Sequence, residues 1–206
     1  MPGRKRFYME IVLATHNPDK VREFQEILQD PTLSFISLHE LGLDEDVEET
    51  GKSYQENSDI KAKAAYAKLQ RPVLADDSGL SVDALDGYPG IYSARFAGEH
   101  TSYKDKIARL WELLAPFPQD TWTASFFCSL SYISASGKIY HYQRSVPGLL
   151  LPERRGNNGF GYDPIFYIPS LGKTTAELEP QQKHSLSHRG LALRDWYQDL
   201  QAGKLV

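Results

Sequence analysis

The sequence has a single cysteine, Cys128, so no disulfide can form within the chain. This excludes a disulfide-stabilised secreted scaffold and favours a reducing compartment, with Cys128 as a buried structural thiol. No apolar run approaches the ~20 residues of a membrane-spanning helix. The net charge is only −4, without the strong basic balance of a nucleic-acid-binding domain. We therefore expect a cytoplasmic protein that binds neither membranes nor nucleic acid.

The first residues, MPGRKRFYM, are basic but have no apolar core of the kind found in signal peptides. We expect a disordered or variable lead over residues 1–9. Residues 10–206 are expected to form one domain, because no shift of composition marks a linker.

Short apolar segments alternate with helical patterns along the chain, which predicts an α/β fold. Asn17 and Pro18 are residue types of a helix N-cap and first turn, following a strand at 10–15. Ser53 and Glu56 form the S-x-x-E pattern of a capping box, at the start of a helix to about residue 69. The remaining expected elements are strands at 34–41 and 71–75, a helix at 103–114, a hairpin turning at 136–137, short strands at 148–151 and 164–168, and a last helix from about 187.

The segment ATHNPDK joins a strand to a helix and places Lys20 in the first helical turn. Backbone N–H groups, the positive end of the helix dipole and an ammonium group then converge, and such an arrangement binds phosphate. The spacing of a P-loop is absent. An ordinary capped helix with a solvated lysine is the alternative interpretation.

Two adjacent aspartates, Asp76 and Asp77, follow an apolar strand in the segment LADDSG. Adjacent carboxylates repel each other unless a cation neutralises them, and Mg²⁺ favours one or two carboxylates together with substrate phosphates. Successive side chains of a strand point in opposite directions, so we expect one of the pair to face a given cleft. Ser78 adds a hydroxyl at the same edge, and an Asx-type turn is the alternative.

Glycine and aromatic residues alternate in the segment GNNGFGYDP, followed later by the basic segment KHSLSHRG. Glycine allows close approach of backbone to a ligand, and Phe160 and Tyr162 can offer aromatic faces to a base. Lys183 and the pair His188-Arg189 suit recognition of a phosphate or a purine edge. The alternatives are a packed loop with aromatic plugs and scattered basic residues on a surface helix.

In combination these segments resemble the inosine triphosphate pyrophosphatase family, the bacterial non-canonical purine nucleoside triphosphate pyrophosphatases. They occur in the family's order and extend from about Glu10 to Leu193. The matching stretches are LATHNPDKVREF, EETGKSYQENSDIKAKAA, LADDSGLSVDALDGYPGIYSARFAG, NGFGYDPIF and KHSLSHRGLAL.

The resemblance implies roles for individual residues. Asp77 matches the proton acceptor, and Glu49 and Asp77 match the carboxylates associated with magnesium, with Glu48 as the neighbouring alternative to Glu49. Asn17 and Lys20 are the main contacts of the substrate-binding loop, whereas His16 occupies a variable position and receives no individual role. The full set matched to substrate binding is Thr15, His16, Asn17, Pro18, Asp19, Lys20, Ser78, Phe160, Gly161, Tyr162, Asp163, Lys183, His188 and Arg189.

The resemblance also implies an activity, the Mg²⁺-dependent hydrolysis of ITP, dITP and XTP to the monophosphate and pyrophosphate. The implied fold is an elongated, twisted mixed sheet flanked by helices, in two lobes with the cleft between them, usually as a homodimer. A related pyrophosphatase for other modified nucleotides and a non-catalytic nucleotide-binding module are the alternatives.

Overall fold

The computed structural model describes residues 9–43, 45, 47–98 and 100–206. Residues 1–8 of the expected N-terminal lead lie outside the described residues. Seven strands and five α-helices occur in the described ranges, which confirms an α/β fold. The strands are β1 (Met9–Leu13), β2 (Leu33–Ser37), β3 (Val73–Val82), β4 (Thr123–Ile133), β5 (Ile139–Leu150), β6 (Phe166–Ile168) and β7 (Lys173–Thr174). The helices are α1 (Pro18–Ile27), α2 (Tyr54–Leu69), α3 (Tyr103–Leu114), α4 (Pro180–Leu186) and α5 (His188–Gln201).

The strands form a mixed sheet in the order β2-β1-β3-β4-β5-β6-β7. β1 is parallel to both of its neighbours, with Val12 opposite Ile36 on β2 and opposite Val73 on β3. β5, β6 and β7 pair in antiparallel fashion. The combination of parallel and antiparallel pairs confirms the mixed sheet that the family resemblance implied.

Two helix starts follow the capping chemistry expected from the sequence. The Asn17 side chain accepts hydrogen bonds from the backbone N–H groups of Asp19 and Lys20, at 2.9 and 3.4 Å. Ser53 accepts from the backbone N–H of Glu56 at 3.2 Å, but Glu56 accepts from Lys52 rather than from Ser53. The capping box at α2 is therefore only half formed.

Several elements differ from the sequence-based expectation. β3 does not end at Asp76 and Asp77 but continues to Val82, because the residues beyond it, Leu80 and Val82, are fully buried. The segment at 148–150 is the end of β5 rather than a separate strand. The short elements β7 and α4 were not expected, since neither is long enough to show a periodic apolar pattern.

The chain divides into two compact units. Unit 1 comprises Met1–Asp77, Ser129–Tyr142 and Ala192–Val206, and unit 2 comprises Ser78–Cys128 and Gln143–Leu191. In unit 1, the ring centroids of the buried residues Phe35 and Trp196 lie 6.2 Å apart. The same unit has an apolar core that contains small side chains of α2. That core includes Val12, Ala14, Leu38, Ala62, Ala65, Val73, Ala75 and Ile133.

The core of unit 2 is built around α3, whose buried residues Ile107, Leu110 and Leu114 follow helical spacing. Burial of each of these side chains contributes about 2 kcal/mol of apolar transfer free energy. They pack with Leu80 and Val82 of β3, so the second half of that strand is anchored in unit 2. No helix within the described ranges is both long and apolar enough to cross a bilayer.

Candidate active site

The loop between β1 and α1 is fixed by hydrogen bonds of its own residues in unit 1. The Thr15 hydroxyl accepts from the backbone N–H of Asn17 at 3.2 Å. His16, which received no role from the sequence, lies 2.8 Å through Nε2 from the carbonyl oxygen of Leu43 and ties the loop to that segment. Pro18 opens α1.

The N-terminus of α1 offers fewer backbone donors than the sequence suggested. Two N–H groups of the first turn, those of Asp19 and Lys20, already bind the Asn17 side chain. Asp19 itself pairs on the surface with Arg22. The Lys20 ammonium instead lies 3.3 Å from the carbonyl oxygen and 3.4 Å from Oδ1 of Asp76. The Lys20 ammonium is therefore the main group at the N-terminus of α1 that can bind a phosphate.

Lys61, on α2, connects Glu49, Asp76 and Asp77 in unit 1. Its Nζ donates to Oε1 of Glu49 at 2.7 Å, to Oδ1 of Asp77 at 3.2 Å and to the backbone oxygen of Asp76 at 2.8 Å. This geometry identifies Glu49 as the glutamate that faces Asp77. The cluster contains three carboxylates and two ammonium groups, those of Glu49, Asp76, Asp77, Lys20 and Lys61. Among these five side chains, one negative charge is therefore in excess.

Asn57 holds the second oxygen of Asp77. Its Nδ2 donates to Oδ2 of Asp77 at 3.3 Å, and its Oδ1 accepts from the backbone N–H of Gly51 at 2.9 Å. A Cβ at Gly51 would lie 2.6 Å from that Oδ1, so only glycine allows this close approach. Both Asn57 and Asp77 are buried.

The two central ionisable groups of this cluster have shifted pKa values. Burial raises the pKa of the Asp77 carboxyl, and the positive charges of Lys61 and Lys20 offset this effect only in part. Burial by itself lowers the pKa of Lys61, but the negative charges of Asp77 and Glu49 outweigh it, so that the Lys61 pKa is raised. Lys61 thus stays protonated at neutral pH, while Asp77 is a stronger base than an ordinary aspartate.

In unit 2, Asp163 fixes the glycine-rich loop. Its Oδ2 accepts from the backbone N–H of Phe160 and from Nζ of Lys183, both at 2.8 Å, and its Oδ1 accepts from the Thr175 hydroxyl at 2.9 Å. Gly159 has φ +74°, and a Cβ there would lie 2.1 Å from Oδ2 of Asp163. The loop conformation therefore requires both the glycine and the carboxylate.

The Phe160 ring is flanked by two cationic side chains. Nζ of Lys183 lies 5.0 Å and Cζ of Arg189 lies 5.7 Å from the ring centroid, both within cation–π range. The imidazole of His188 stacks on Phe126 with ring centroids 4.9 Å apart. Lys183, His188 and Arg189 are all buried, unlike the scattered surface cations that were the alternative interpretation.

Tyr162 is placed differently from Phe160. It is buried in the core of unit 2, its hydroxyl donates to the carbonyl oxygen of Ser93 at 3.2 Å, and its ring packs edge-on against Tyr103. The neighbouring Gly161 has φ +69°. Tyr162 anchors the loop that displays Phe160, and its contact with substrate remains a prediction, as does that of Ser78 on β3.

The junction of α4 and α5 explains the pattern SHRG. The Ser187 hydroxyl accepts from the backbone N–H of Gly190 at 3.0 Å, as an N-cap of α5. A Cβ at Gly190 would lie 1.9 Å from the carbonyl oxygen of His184, so the close packing of the two helices requires glycine. His188 and Arg189 are thereby held in the first turn of α5.

Sequence reasoning missed Lys61 and Asn57. They are spaced four apart on α2 and thus lie on one face of the helix. The sequence offered one signal for these two residues: an asparagine and a lysine occur near the alanines of α2, whose other buried side chains are small. Only the partners of these residues, which lie elsewhere in the chain, reveal their role.

Comparison with known proteins identifies the family of this chain. The sequence model of the Ham1 family matches residues 11–198. A dITP/XTP pyrophosphatase of Exiguobacterium sibiricum is 47% identical over 186 residues, which cover 90% of this chain and 94% of the relative. A dITP/XTP pyrophosphatase of Photorhabdus laumondii is 46% identical over 189 residues, with 90% and 94% covered.

Solved structures give the same result. A HAM1 protein from Coxiella burnetii has a TM-score of 0.85 and 40% identity, covering 94% of this chain and 99% of that one. The Ham1 protein of Staphylococcus aureus has a TM-score of 0.82 and 41% identity, with 95% and 99% covered. The family suggested by five separate sequence motifs is confirmed: this chain belongs to the Ham1 family.

Proposed function

We propose that this protein hydrolyses non-canonical purine nucleoside triphosphates (dITP, ITP and XTP) to the monophosphate and pyrophosphate. Relatives at 45–47% identity over about 90% of the chain are named dITP/XTP pyrophosphatases. In the reaction, the oxygen of a water molecule bonds to the α-phosphorus, the bond from that phosphorus to the α,β-bridging oxygen breaks, and pyrophosphate leaves. The attacking water must lose a proton, so the site needs a base.

The observation that carries this proposal is the setting of Asp77. Its carboxylate is buried, its pKa is raised, and Lys61 and Asn57 fix its two oxygens. A general base works best when its pKa is nearer the operating pH than that of an exposed aspartate. Asp77 accepts the proton of the attacking water, Lys20 binds the phosphate chain, and Lys61 keeps the carboxylate in place.

A nucleotide pyrophosphatase of this kind uses a divalent metal, and we propose Mg²⁺. In the described residues no group of three His, Cys, Asp or Glu side chains forms a metal cage. The pair Glu49 and Asp77 nevertheless fits a hard cation, because their oxygens already converge on the ammonium of Lys61. One or two carboxylates plus substrate phosphates are the usual ligands of Mg²⁺. When bound, the ion would neutralise charge on the phosphates.

We propose that unit 2 residues recognise the purine base. The Phe160 ring can stack on a base, a contact worth about 1–3 kcal/mol in single-strand binders. Lys183 and Arg189 donate hydrogen bonds, which suits the 6-keto oxygen of hypoxanthine or xanthine. Adenine has a donor at that position and offers these cations no acceptor there, and such mismatches can discriminate by roughly 10⁴.

The test is the release of pyrophosphate from dITP, ITP, XTP, ATP, GTP and dUTP, each with Mg²⁺ and with EDTA. We expect rapid, Mg²⁺-dependent release from the inosine and xanthosine nucleotides, with the monophosphate as the second product. Release of orthophosphate in place of pyrophosphate would contradict the proposed bond cleavage. Preference for dUTP would favour a different modified-nucleotide pyrophosphatase, and binding without turnover would indicate a nucleotide-binding module.

The homodimer is likewise a proposal, based on the family resemblance. Size-exclusion chromatography with light scattering should give about twice the chain mass of 23.3 kDa. A mass of one chain at micromolar concentration would contradict it. The expected cytoplasmic location stays a prediction.

A further inference from the structure

The part of helix α2 that carries Asn57 and Lys61 has few buried apolar side chains to set the rotation of the helix about its own axis. Its buried side chains are Asn57, Ser58, Ala62 and Ala65, so the only apolar groups among them are two alanine methyl groups. Tyr66 and Leu69, further along α2, pack half-buried against the core of unit 1. Around Asn57 and Lys61, however, alanine buries little area, and apolar packing therefore defines the rotation of the helix only weakly there. Polar contacts must supply the rest.

Such contacts lie on the side of α2 that faces the hairpin of β4 and β5, within unit 1. The hydroxyl groups of Ser58 and Ser131 are 2.7 Å apart. Ser131 donates to Oδ1 of Asp59 at 2.6 Å, and Nε2 of His141 lies 2.8 Å from the same oxygen. We refer to Ser58, Asp59, Ser131 and His141 as the α2 latch. It joins one turn of α2 to two neighbouring strands.

The α2 latch lies in the same turn as the active-site residues. Ser58 and Asp59 occupy the positions between Asn57 and Lys61, so a shift of the latch rotates both of them. The head of an extended lysine is roughly 8 Å from the helix axis, and a rotation of about 10° would therefore displace it by about 1.4 Å. A misplacement of about 1 Å at a catalytic group can lower the rate by up to about 10².

We infer that Asp59, through Ser131 and His141, is a positioning residue that sets the rotation of α2 and thereby holds Lys61 and Asn57 on Asp77. This inference rests on the proposed function and adds a positioning residue to the same site. Asp59 touches neither Asp77 nor Glu49 among its hydrogen bonds and ion pairs to Ser131, His141 and Lys63. It acts on the reaction only through α2.

The experiment compares four variants of the full chain in steady-state hydrolysis of dITP with Mg²⁺. Asp59→Leu removes the carboxylate acceptor, and Asp59→Asn keeps an acceptor oxygen in the same place. Lys63→Met removes only the exposed partner of Asp59, an ion pair of 3.5 Å. Ile133→Val destabilises the same core by deletion of one methyl group without touching the latch.

We expect Asp59→Leu to lower kcat about tenfold with KM within about twofold, because binding of dITP does not depend on the exact rotation of α2 as strongly as turnover does. Asp59→Asn should restore kcat to within about twofold of wild type, and Lys63→Met should match wild type. Ile133→Val should lower the midpoint of thermal unfolding and leave kcat unchanged.

An unchanged kcat in Asp59→Leu would overturn the inference. The same fall of kcat in Ile133→Val would also overturn it, since the effect would then follow from general destabilisation. A wild-type protein that fails to hydrolyse dITP would overturn the proposed function, and with it this inference. The wild-type rate therefore separates the two failures.

Discussion

Each unit contains an ion pair between a lysine and a buried aspartate, but the two pairs differ in their further partners. In unit 2, Asp163 accepts from Lys183 at 2.8 Å and also from Thr175 and a backbone N–H, so both of its oxygens are satisfied. In unit 1, Asp77 also has a partner for each oxygen, Lys61 at 3.2 Å and Asn57 at 3.3 Å, but Lys61 shares its charge with Glu49.

The difference separates a pair that holds the proposed base-binding loop from a pair that contains the proposed general base. Asp163 and Lys183 neutralise each other and fix a loop. The cluster around Asp77 sets the three carboxylates of Glu49, Asp76 and Asp77 against the two ammonium groups of Lys20 and Lys61, and the pKa of Asp77 is raised. A buried Lys–Asp pair is thus informative about function only when its other partners are counted.

Removal of the Asp77 carboxylate should have the largest effect on turnover. Asp77→Asn should lower kcat about 10³-fold, because a general base contributes roughly 10²–10⁴. Pyrophosphate release from dITP is the measurement, and Asp120→Asn, a change on the exposed surface, is the matched control. Retention of more than a tenth of the wild-type rate would remove Asp77 from the role of base.

The same variant should not lose stability. Because the pKa of Asp77 is raised on folding, its stabilising contribution is complete below the ordinary pKa of 3.8 and is lost as pH rises through the folded-state pKa. In EDTA at pH 7, Asp77→Asn should therefore unfold at the same or a higher temperature than wild type. The difference in unfolding temperature between the variant and wild type should vanish toward pH 4. A lower unfolding midpoint of Asp77→Asn at pH 7 would contradict the raised pKa of Asp77.

Asp163→Asn should show the opposite behaviour. It leaves the buried Lys183 without its counter-charge, and breaking a buried pair costs about 3–5 kcal/mol. The free energy of unfolding, measured by urea denaturation at pH 7, should fall by about 3 kcal/mol, while Asp120→Asn should change it by less than about 0.5 kcal/mol. Equal stability of Asp77→Asn and Asp163→Asn would remove the distinction between the two pairs.

Lys20→Ala should weaken use of the triphosphate. Cationic groups that bind phosphate contribute roughly 10²-fold to such reactions, and kcat/KM for dITP should fall by about that factor. Arg22→Ala, on an exposed part of the same helix, is the control and should change kcat/KM by less than about twofold. Unchanged kinetics in Lys20→Ala would mean that the helix end is an ordinary cap.

Arg189→Ala tests unit 2 and should have the smallest effect. Loss of one charge-assisted hydrogen bond to the 6-keto oxygen should narrow the preference for dITP over dATP about tenfold, whereas dGTP carries the same oxygen and should keep its ratio to dITP. Competition between nucleotides measures this ratio, and Arg154→Ala, at an exposed position, should leave it unchanged. If the preference survives in Arg189→Ala, another group reads the base.

Local patterns in the sequence predicted much of the fold. The bounds of α3 agree with the apolar spacing of its residues, and the caps at Asn17 and Ser53 depend on side chains only a few positions away. The sequence-based prediction ended β3 too early because two adjacent aspartates are unusual within a buried strand. Lys61 and Lys20, far away in the chain, neutralise them and allow the strand to continue.

The candidate site was predicted mainly by family resemblance, and contacts between distant residues explain what was missed. The role of Lys61 depends on Glu49 and Asp77, which are 12 and 16 positions away. Tyr162 looked equivalent to Phe160, since both are aromatic residues next to glycines. Tyr162 is buried against Tyr103 of α3, and this packing cannot be predicted from the sequence of the loop alone.

The ammonium of Lys61 acts as a built-in counter-ion for the acidic cluster. Since it already draws Glu49 and Asp77 together, the chain can assemble this region before any divalent ion arrives. A protein whose acidic residues had no such partner would depend on the metal to fold. Removal of divalent ions by a chelator should therefore abolish hydrolysis while the protein stays folded, and added Mg²⁺ should restore the activity at once.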